Sequence, residues 1–343
     1  MIVCEKITPR SDPTVQSPVV DAASVPTPGR SAPAALFLVR PMYDDLAPPL
    51  DVDALHARLY AGAIARFAPL EGMAAVLAVT QGFVEDALAP HPPTEIHRHH
   101  DQAALAALLA ETQRGYANLP EAKAAWAALW GEVGIDPEDA ARDRLTLRFQ
   151  PPAALTEAPG VRRPWARSTA TVSFHRDTWG TNLYAQINWW APVYPITKDR
   201  TFAFLSDLFA RPIENSSADF DIADVIRRNR EAPETVKEGE MVPHLLEEVD
   251  LAAAQPVTIA PGEIIAFSAQ HAHVGLENTT DLTRISLDTR TLRISDARAG
   301  RGAANVDGRA KWATYGMFRR LSDGAALADV LGVERMAVFG GEP

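Results

Sequence analysis

The stretch STATVSFHRD, at residues 168–177, is rich in β-branched residues and ends in a histidine and an aspartate two positions apart. β-Branched residues favour strands, so this stretch predicts a strand with polar groups at its end. Side chains at positions i and i+2 of a strand point to the same face of the sheet. His175 and Asp177 are therefore expected to bind one metal ion together.

A third candidate ligand follows another predicted strand. The run GEIIAFSAQ, at residues 262–270, leads into His271 and His273. Two neutral imidazoles and one carboxylate on one face leave three positions open on an octahedral iron(II), as O2 and a bidentate co-substrate require. The spacing to Asn278 and Arg284 favours His273 as the ligand. His271 is the alternative, and is otherwise a structural residue.

Arg284 and Ser286 share one face of a third alternating stretch, TRISLDTRTLRI at residues 283–294. A planar guanidinium beside a hydroxyl is well matched to the distal carboxylate of a dicarboxylic acid. Arg290 lies on the same face, about 20 Å further along at roughly 3.3 Å per residue. We expect Arg290 to be too far away to share that role.

Two polar residues also share a face of the strand predicted over YAQINWWAPVYPI, at residues 184–196. Gln186 and Asn188 are expected to reach the C1 end of the co-substrate or the substrate itself. Ordinary cross-strand hydrogen bonding is the alternative for both residues. The adjacent Trp189 and Trp190 are expected to serve as core packing or as walls of a substrate cavity.

Helical patterns precede the strands along the chain. Apolar spacing and Ala-rich and Leu-rich composition predict helices at residues 52–67, 71–88, 101–113 and 120–132, and strand patterns begin near residue 144. Helices followed by strands, without alternation of the two, predict an antiparallel sheet or sandwich backed by helices. We divide the chain into a mobile arm (1–35), a helical layer (36–140), a β core (141–300) with a lid-like insertion at about 205–250, and a C-terminal extension (301–343).

Composition narrows the range of partners. The chain has 343 residues and a formal net charge of −11, which disfavours nucleic acid because phosphate binding needs a basic face. Its single cysteine, Cys4, excludes an intramolecular disulfide and suits a reducing compartment, so a cytoplasmic location is expected. No segment carries the roughly 18 apolar residues of a membrane span, and no membrane partner is expected. The sequence gives no indication of the oligomeric state.

The segments HRDTW, QINWWAPV, PGEIIAFSAQHAHVGLEN and TRISLDTR, within about residues 144–295, resemble the Fe(II)/2-oxoglutarate-dependent dioxygenases, and more loosely their phytanoyl-CoA hydroxylase-like branch. The resemblance implies a double-stranded β-helix, or jelly roll, with iron at its open end. It also implies His175, Asp177 and His273 as iron ligands. Arg284 would hold the C5 carboxylate of 2-oxoglutarate with Ser286 beside it.

The function that this resemblance implies is oxidation of a small molecule. Iron(II), 2-oxoglutarate and O2 would hydroxylate, desaturate or cyclise a natural-product or amino-acid-like intermediate, with release of succinate and CO2. Two alternatives are a cupin-type metalloenzyme that does not use 2-oxoglutarate and a non-catalytic jelly roll acting as a sensor or interaction module. A cupin site would need a further histidine downstream, and His273 is the last histidine of the chain.

Overall fold

Four helices form a layer on one side of the protein. The computed structural model describes residues 42–156, 172–231 and 242–333. The helices are α1 (Val52–Tyr60), α2 (Glu71–Leu88), α3 (Gln102–Asn118) and α4 (Pro120–Val133). The helices predicted at residues 71–88, 101–113 and 120–132 are confirmed, and the second of them continues to Asn118.

The helix predicted over residues 52–67 is wrong in its second half. α1 ends at Tyr60, and Gly62 then takes a φ of 95°, in the left-handed region that favours glycine. The residues that follow form strand β2 (Ile64–Phe67), which is mostly buried. A short buried strand and a buried helical turn both carry apolar residues in a row, so their hydrophobic periodicity alone does not separate them.

Eleven strands complete the described part of the chain. In addition to β2 they are β1 (Asp44–Leu46), β3 (Ala140–Arg142), β4 (Thr146–Gln150), β5 (Gln186–Pro192), β6 (Phe202–Phe204), β7 (Gln255–Pro256), β8 (Ile264–Ser268), β9 (His273–Gly275), β10 (Arg284–Arg293) and β11 (Arg319–Arg320). In the larger sheet β10 pairs with β4 on one side and β5 on the other, and β5 pairs with β8. In the smaller sheet β6 lies between β7 and β9.

The chain crosses repeatedly between the two sheets. It runs from β4 in the larger sheet to His175, which pairs with His273 of β9 at the edge of the smaller one. It returns to β5, passes through β6 and β7, and crosses again at β8, β9 and β10. This alternation is that of a double-stranded β-helix, so the predicted fold class, a jelly-roll core with flanking helices, is confirmed.

The larger sheet has a hydrophobic core on each face. Its inner face, represented by Trp190 and Phe267, packs against Phe202 and Phe204 of the smaller sheet. Its outer face packs against the helical layer, as the shared cluster of Trp189 with α2, α3 and α4 side chains shows. Successive residues of β5 therefore face opposite cores, which explains why QINWWAP is buried throughout.

Helices α2 and α4 approach each other closely. A Cβ atom placed on Gly72 would lie 2.5 Å from the Cα of Leu129, so this contact requires a glycine. The stretch Glu71–Arg98 is long and apolar enough to cross a membrane by length and composition alone, since an 18-residue window within it has a mean hydropathy of 1.2. Met73, Val76 and Val84 of this stretch lie in the core shared with the larger sheet, as expected for a core helix of the helical layer.

The insertion and the C-terminal extension both contain ordered elements. Short helices occur at α5 (Ala153–Thr156), α6 (Asp177–Gly180), α7 (Ile222–Glu231), α8 (Ile294–Arg298) and α9 (Leu327–Leu331). α7 belongs to the predicted insertion, while α8 and α9 flank β11, which pairs with β3 and so joins the larger sheet. The arm predicted at residues 1–35 lies outside the described residues.

Candidate metal centre

His175, Asp177 and His273 meet at one point between the two sheets. One ligand atom from each residue lies within 4.8 Å of the other two, and among the described residues no other such group of three is found. The backbones of His175 and His273 exchange two hydrogen bonds of 3.0 Å, which hold the two rings side by side. Asp177 begins the short helix α6 instead of continuing a strand, yet its Oδ1 still lies 3.4 Å from His175 Nε2.

Backbone carbonyls orient both imidazoles. The Nδ1 of His175 lies 2.8 Å from the carbonyl oxygen of Ser173, and that of His273 lies 2.9 Å from the carbonyl oxygen of His271. Because a carbonyl only accepts, each Nδ1 carries the proton and each Nε2 keeps a free lone pair. Burial lowers the pKa of His273 to about 3, with the neighbouring His175 acting in the same direction, so this ring is neutral at physiological pH.

Strand β5 supplies two donors to the carboxylate of the triad. Gln186 Nε2 and Asn188 Nδ2 donate to Asp177 Oδ2 at 3.0 and 2.7 Å, and Gln186 also donates to Asn188 Oδ1 at 2.9 Å. These bonds occupy Oδ2 and leave Oδ1 on the side of the histidines. The predicted contact of Gln186 and Asn188 with a co-substrate stays a prediction.

Arg290 lies beside the triad, a position that its spacing from Arg284 in the sequence did not indicate. Its Nε is 4.0 Å from Asp177 Oδ2, and its Nη1 donates to Asp143 Oδ2 at 3.1 Å. Burial alone would raise the pKa of Asp177, but the Arg290 guanidinium outweighs it, with His175 and His273 acting in the same direction, and that pKa is held well below its usual range. Burial raises the pKa of Asp143, and Arg290 offsets part of that rise.

The sequence analysis weighed Arg290 only by its distance from Arg284. The expectation that Arg290 lies too far along β10 to share the role of Arg284 stays a prediction. Register places Arg290 opposite Asn188, at the end of β10 where the triad lies. Arg284 lies at the other end of the same inner face. Asp143, which precedes β4, carried no sequence signal that separated it from other charged residues.

Arg284 and Ser286 carry buried polar atoms that have no partners among the described residues. They are 6% and 0% exposed, and in residues 42–156, 172–231 and 242–333 no partner is found for Arg284 Nε, Arg284 Nη1 or Ser286 Oγ. The nearby Arg148 is paired with Asp288 at 2.8 Å. Burial lowers the pKa of Arg284 to about 9, with Arg148 acting in the same direction, which still leaves the guanidinium charged at neutral pH.

His271 points away from the triad. Its Nδ1 lies 3.1 Å from the Ser268 carbonyl oxygen and its Nε2 lies 3.3 Å from the Gly62 carbonyl oxygen. Its ring packs at 4.7 Å from that of Phe209. Burial lowers its pKa to about 4, so the ring is neutral and donates to one of the two carbonyls. These contacts support a structural role.

Aromatic side chains from both sheets lie beside the His273 ring. The Phe202 and Phe267 rings have centroids 6.1 and 5.9 Å from that of His273. Trp190 meets Phe202 edge to face at 5.0 Å and so belongs to the same wall.

Arg176, the middle residue of the HRD motif (residues 175–177), connects this motif to the start of the insertion by hydrogen bonds. Its side chain is fully buried, and its guanidinium donates to the backbone carbonyls of Leu208, Phe209 and Arg211 at 2.6 to 3.1 Å. Sequence reasoning missed this role, since a charged residue between two ligands is more often solvated.

Asp307, from the C-terminal extension, completes this network. Its carboxylate accepts from Trp179 Nε1 at 2.8 Å and from the backbone N–H of Ile213 at 3.0 Å, and lies 3.5 Å from Arg176 Nε. The C-terminal extension therefore supports the HRD motif, although no functional motif was recognised in the sequence of the extension.

No family model matches this chain, and no curated protein matches it. Solved structures similar to it include EvdO2 from Micromonospora carbonacea var. aurantiaca in complex with 2-oxoglutarate, at 12% identity and a TM-score of 0.41, covering 72% of this chain and 93% of that one. SnoK, a non-heme alpha ketoglutarate dependent carbocyclase from nogalamycin biosynthesis, is 14% identical with a TM-score of 0.34, covering 76% and 93%. ThoJ, a non-heme monooxygenase in complex with Ni, is 16% identical with a TM-score of 0.32, covering 70% and 77%.

Proposed function

We propose that this chain is a non-haem iron(II) oxygenase that uses 2-oxoglutarate and O2. The observation that carries the proposal is the presence, between the same two sheets, of a two-histidine, one-carboxylate triad and of the unpartnered Arg284 and Ser286. A metal site alone would not require a second group of buried polar atoms, without partners among the described residues, on the inner face of β10.

The triad suits iron(II). Two neutral imidazole Nε2 atoms and one carboxylate oxygen form the donor set of the facial triad, which leaves three positions for other ligands. Backbone carbonyls at Ser173 and His271 hold the rings in the tautomer that a metal needs. Asp177 Oδ1 is directed to the metal because Oδ2 is occupied by Gln186 and Asn188.

Arg284 and Ser286 suit the distal carboxylate of 2-oxoglutarate. A guanidinium can donate two parallel hydrogen bonds to a carboxylate, and the Ser286 hydroxyl adds a third donor. Their buried polar atoms would gain the partners that they lack among the described residues. When bound, iron and 2-oxoglutarate supply oxidative decarboxylation with O2 and the oxidation of a substrate C–H bond.

The other residues of the site position groups and exclude water. Phe202, Phe267 and Trp190 form an apolar wall beside His273, which limits the access of water to the triad. The triad side chains of His175 and Asp177 are only 11% and 13% exposed. An enclosed site of this kind favours a small-molecule substrate, such as a natural-product or amino-acid-like intermediate, that would be hydroxylated, desaturated or cyclised. Cytoplasmic location stays a prediction.

Anaerobic titration tests the proposal. The full-length protein should bind one Fe(II) per chain and gain a weak visible charge-transfer band when 2-oxoglutarate is added. Admission of O2 should then produce succinate. Bound iron with no band and no succinate would contradict the proposal and favour the cupin alternative.

A screen of small molecules would then address the substrate. Compounds that bind near the triad should accelerate succinate formation over the substrate-free rate, and mass spectrometry of the product would separate hydroxylation from desaturation or cyclisation. If no small molecule accelerates succinate formation while a protein or peptide does, the substrate class proposed here is wrong.

A further inference from the structure

Arg290 stands between two carboxylates at unequal distances. Its Nη1 donates to Asp143 Oδ2 at 3.1 Å, within hydrogen-bond range, while its Nε lies 4.0 Å from Asp177 Oδ2. The guanidinium is thus bonded to Asp143 and held just short of a hydrogen bond with the metal ligand.

Asp143 is a rigid anchor. Its backbone N–H donates to the carbonyl of Arg290 at 2.9 Å, and its Oδ1 accepts from the backbone N–H of Arg144 at 2.5 Å. The residue is buried in the link between β3 and β4, both of which pair with β10. Asp143 therefore has little freedom to follow Arg290 if the guanidinium moves.

The distance between Arg290 and Asp177 has a chemical consequence. At 4.0 Å the guanidinium still stabilises the charge of Asp177 through space. A guanidinium released from Asp143 could form a bidentate pair with Asp177, because its fork matches both carboxylate oxygens. Such a pair would engage Oδ1, the oxygen that faces the histidines, and so compete with a cation.

We propose that Arg290 and Asp143 form a positioning pair for Asp177, in which Asp143 restrains the guanidinium so that it neutralises the carboxylate without occupying Oδ1. Neither residue touches the metal, and Asp143 acts only through Arg290. The inference rests on the proposed function, because it takes Asp177 Oδ1 to be a metal ligand.

A double-mutant cycle with Co(II) as the probe tests the pair. In the full-length protein, Asp143→Asn should weaken Co(II) binding by about 10–100-fold, as loss of an outer-shell partner does at other metal sites. In an Arg290→Gln background the competing cation is gone, so Asp143→Asn should change the Co(II) Kd by no more than about twofold. The Co(II) absorption spectrum of Asp143→Asn should differ from that of wild type. The spectra of Arg290→Gln and of the Asp143→Asn/Arg290→Gln double variant should be the same.

Asp139→Asn is the matched control. Asp139 accepts from Arg293 Nε at 3.0 Å, so it pairs with an arginine of the same strand that does not contact Asp177. Its Co(II) Kd should stay within about twofold of wild type. Asp143→Ser removes the carboxylate in a second way, should Asp143→Asn fail to fold, and a melting curve of each variant establishes folding.

Additivity would overturn the inference: equal weakening of Co(II) binding by Asp143→Asn with and without Arg290 would show that Asp143 does not act through the guanidinium. Unchanged binding in Asp143→Asn would overturn it as well. A failure of the proposed function would give a different result. The wild-type protein would still bind Co(II), and the effects of Asp143→Asn and Arg290→Gln on Co(II) binding would still be non-additive, but 2-oxoglutarate would not change the Co(II) spectrum.

Discussion

Two arginines on the inner face of β10 have opposite surroundings. Arg290 is held between Asp143 and Asp177, whereas Arg284 has two buried nitrogens without partners among the described residues. Leaving a buried donor unsatisfied costs about 1–3 kcal/mol, and more for a charged group. Of the two arginines, Arg284 would therefore be stabilised more by an anionic ligand.

Arg284→Ala should raise the 2-oxoglutarate requirement while leaving iron content near that of wild type. Truncating one partner of a buried charge pair costs about 2–5 kcal/mol, or roughly 30-fold to several-thousand-fold in affinity. Titration of 2-oxoglutarate against succinate formation measures the effect. Arg293→Ala, on the same strand but paired with Asp139, is the control, and an equal response in the two variants would remove Arg284 from the site.

His273→Ala and His271→Ala should separate a ligand from a structural residue. His273→Ala should abolish iron binding and succinate formation, because it removes one of three donor atoms. His271→Ala should retain iron with a loss of about 10–100-fold in affinity or activity, since its carbonyl contacts only support the neighbouring segment. Iron content by elemental analysis decides, and loss of iron in His271→Ala alone would reverse the assignment.

At this scale the sequence predicts which residues form the triad better than it predicts the residues that support them. His175, Asp177 and His273 stand at the ends of short motifs, and backbone pairing between the two motifs brings them together. The support from Arg290 depends on the register between β5 and β10, which no local pattern reveals. The sequence gives the distance between two residues of the same strand. Which of them lies next to the triad depends on how that strand is aligned with its neighbours.

Among the elements, the HRD motif joins the insertion to the C-terminal extension. Breaking a buried ion pair by removing one partner is strongly destabilising, by about 3–5 kcal/mol. Asp307→Ala would leave Arg176 buried without its carboxylate and would also free the Trp179 N–H. We expect a loss of this size in the free energy of unfolding, measured with denaturant. Asp323→Ala, which breaks an exposed pair with Arg320, should leave the denaturant midpoint close to wild type.

Because α2 packs closely against α4 at only one of its glycines, we expect alanine substitutions at Gly72 and Gly82 to change stability in opposite directions. Gly72→Ala would place a Cβ 2.5 Å from the Leu129 Cα and should destabilise the protein by about 1–3 kcal/mol. Gly82→Ala adds a Cβ with nothing within 4 Å and should stabilise it by about 0.4–1 kcal/mol, because it restricts the unfolded chain. Thermal unfolding of both variants gives the signs, and a destabilised Gly82→Ala would contradict this account of the helix.

The elements themselves were predictable where their patterns are long. Helix α2 and strand β10 each carry one period over many residues and match the structure. Strand β2 was missed because four residues are too few to show a period, and its pairing with β8 lies some 200 residues along the chain. The contact between Arg176 and Asp307 was also missed because the two residues lie far apart along the chain.

For the whole molecule, we expect the unpartnered polar atoms of Arg284 to lower stability in the ligand-free state. Replacing a buried charge by an apolar side chain of similar volume is often neutral or stabilising, by about 1–4 kcal/mol. Arg284→Met should therefore raise the melting temperature of the protein free of metal and 2-oxoglutarate. Calorimetry on that form measures it, and a lower melting temperature would mean that Arg284 has stabilising partners outside the described residues.

The Asp307 contact also bears on the order in which the site is made during synthesis. Trp179 and Asp307 are 128 residues apart. A ribosome that adds about 5–20 residues per second needs roughly 6 to 26 seconds to cover that interval. During that time Arg176 has no carboxylate to pair with, although the backbone carbonyls of Leu208, Phe209 and Arg211, to which it also donates, are already translated. The support of this candidate metal centre is thus completed late, after most of the two sheets around it has been translated.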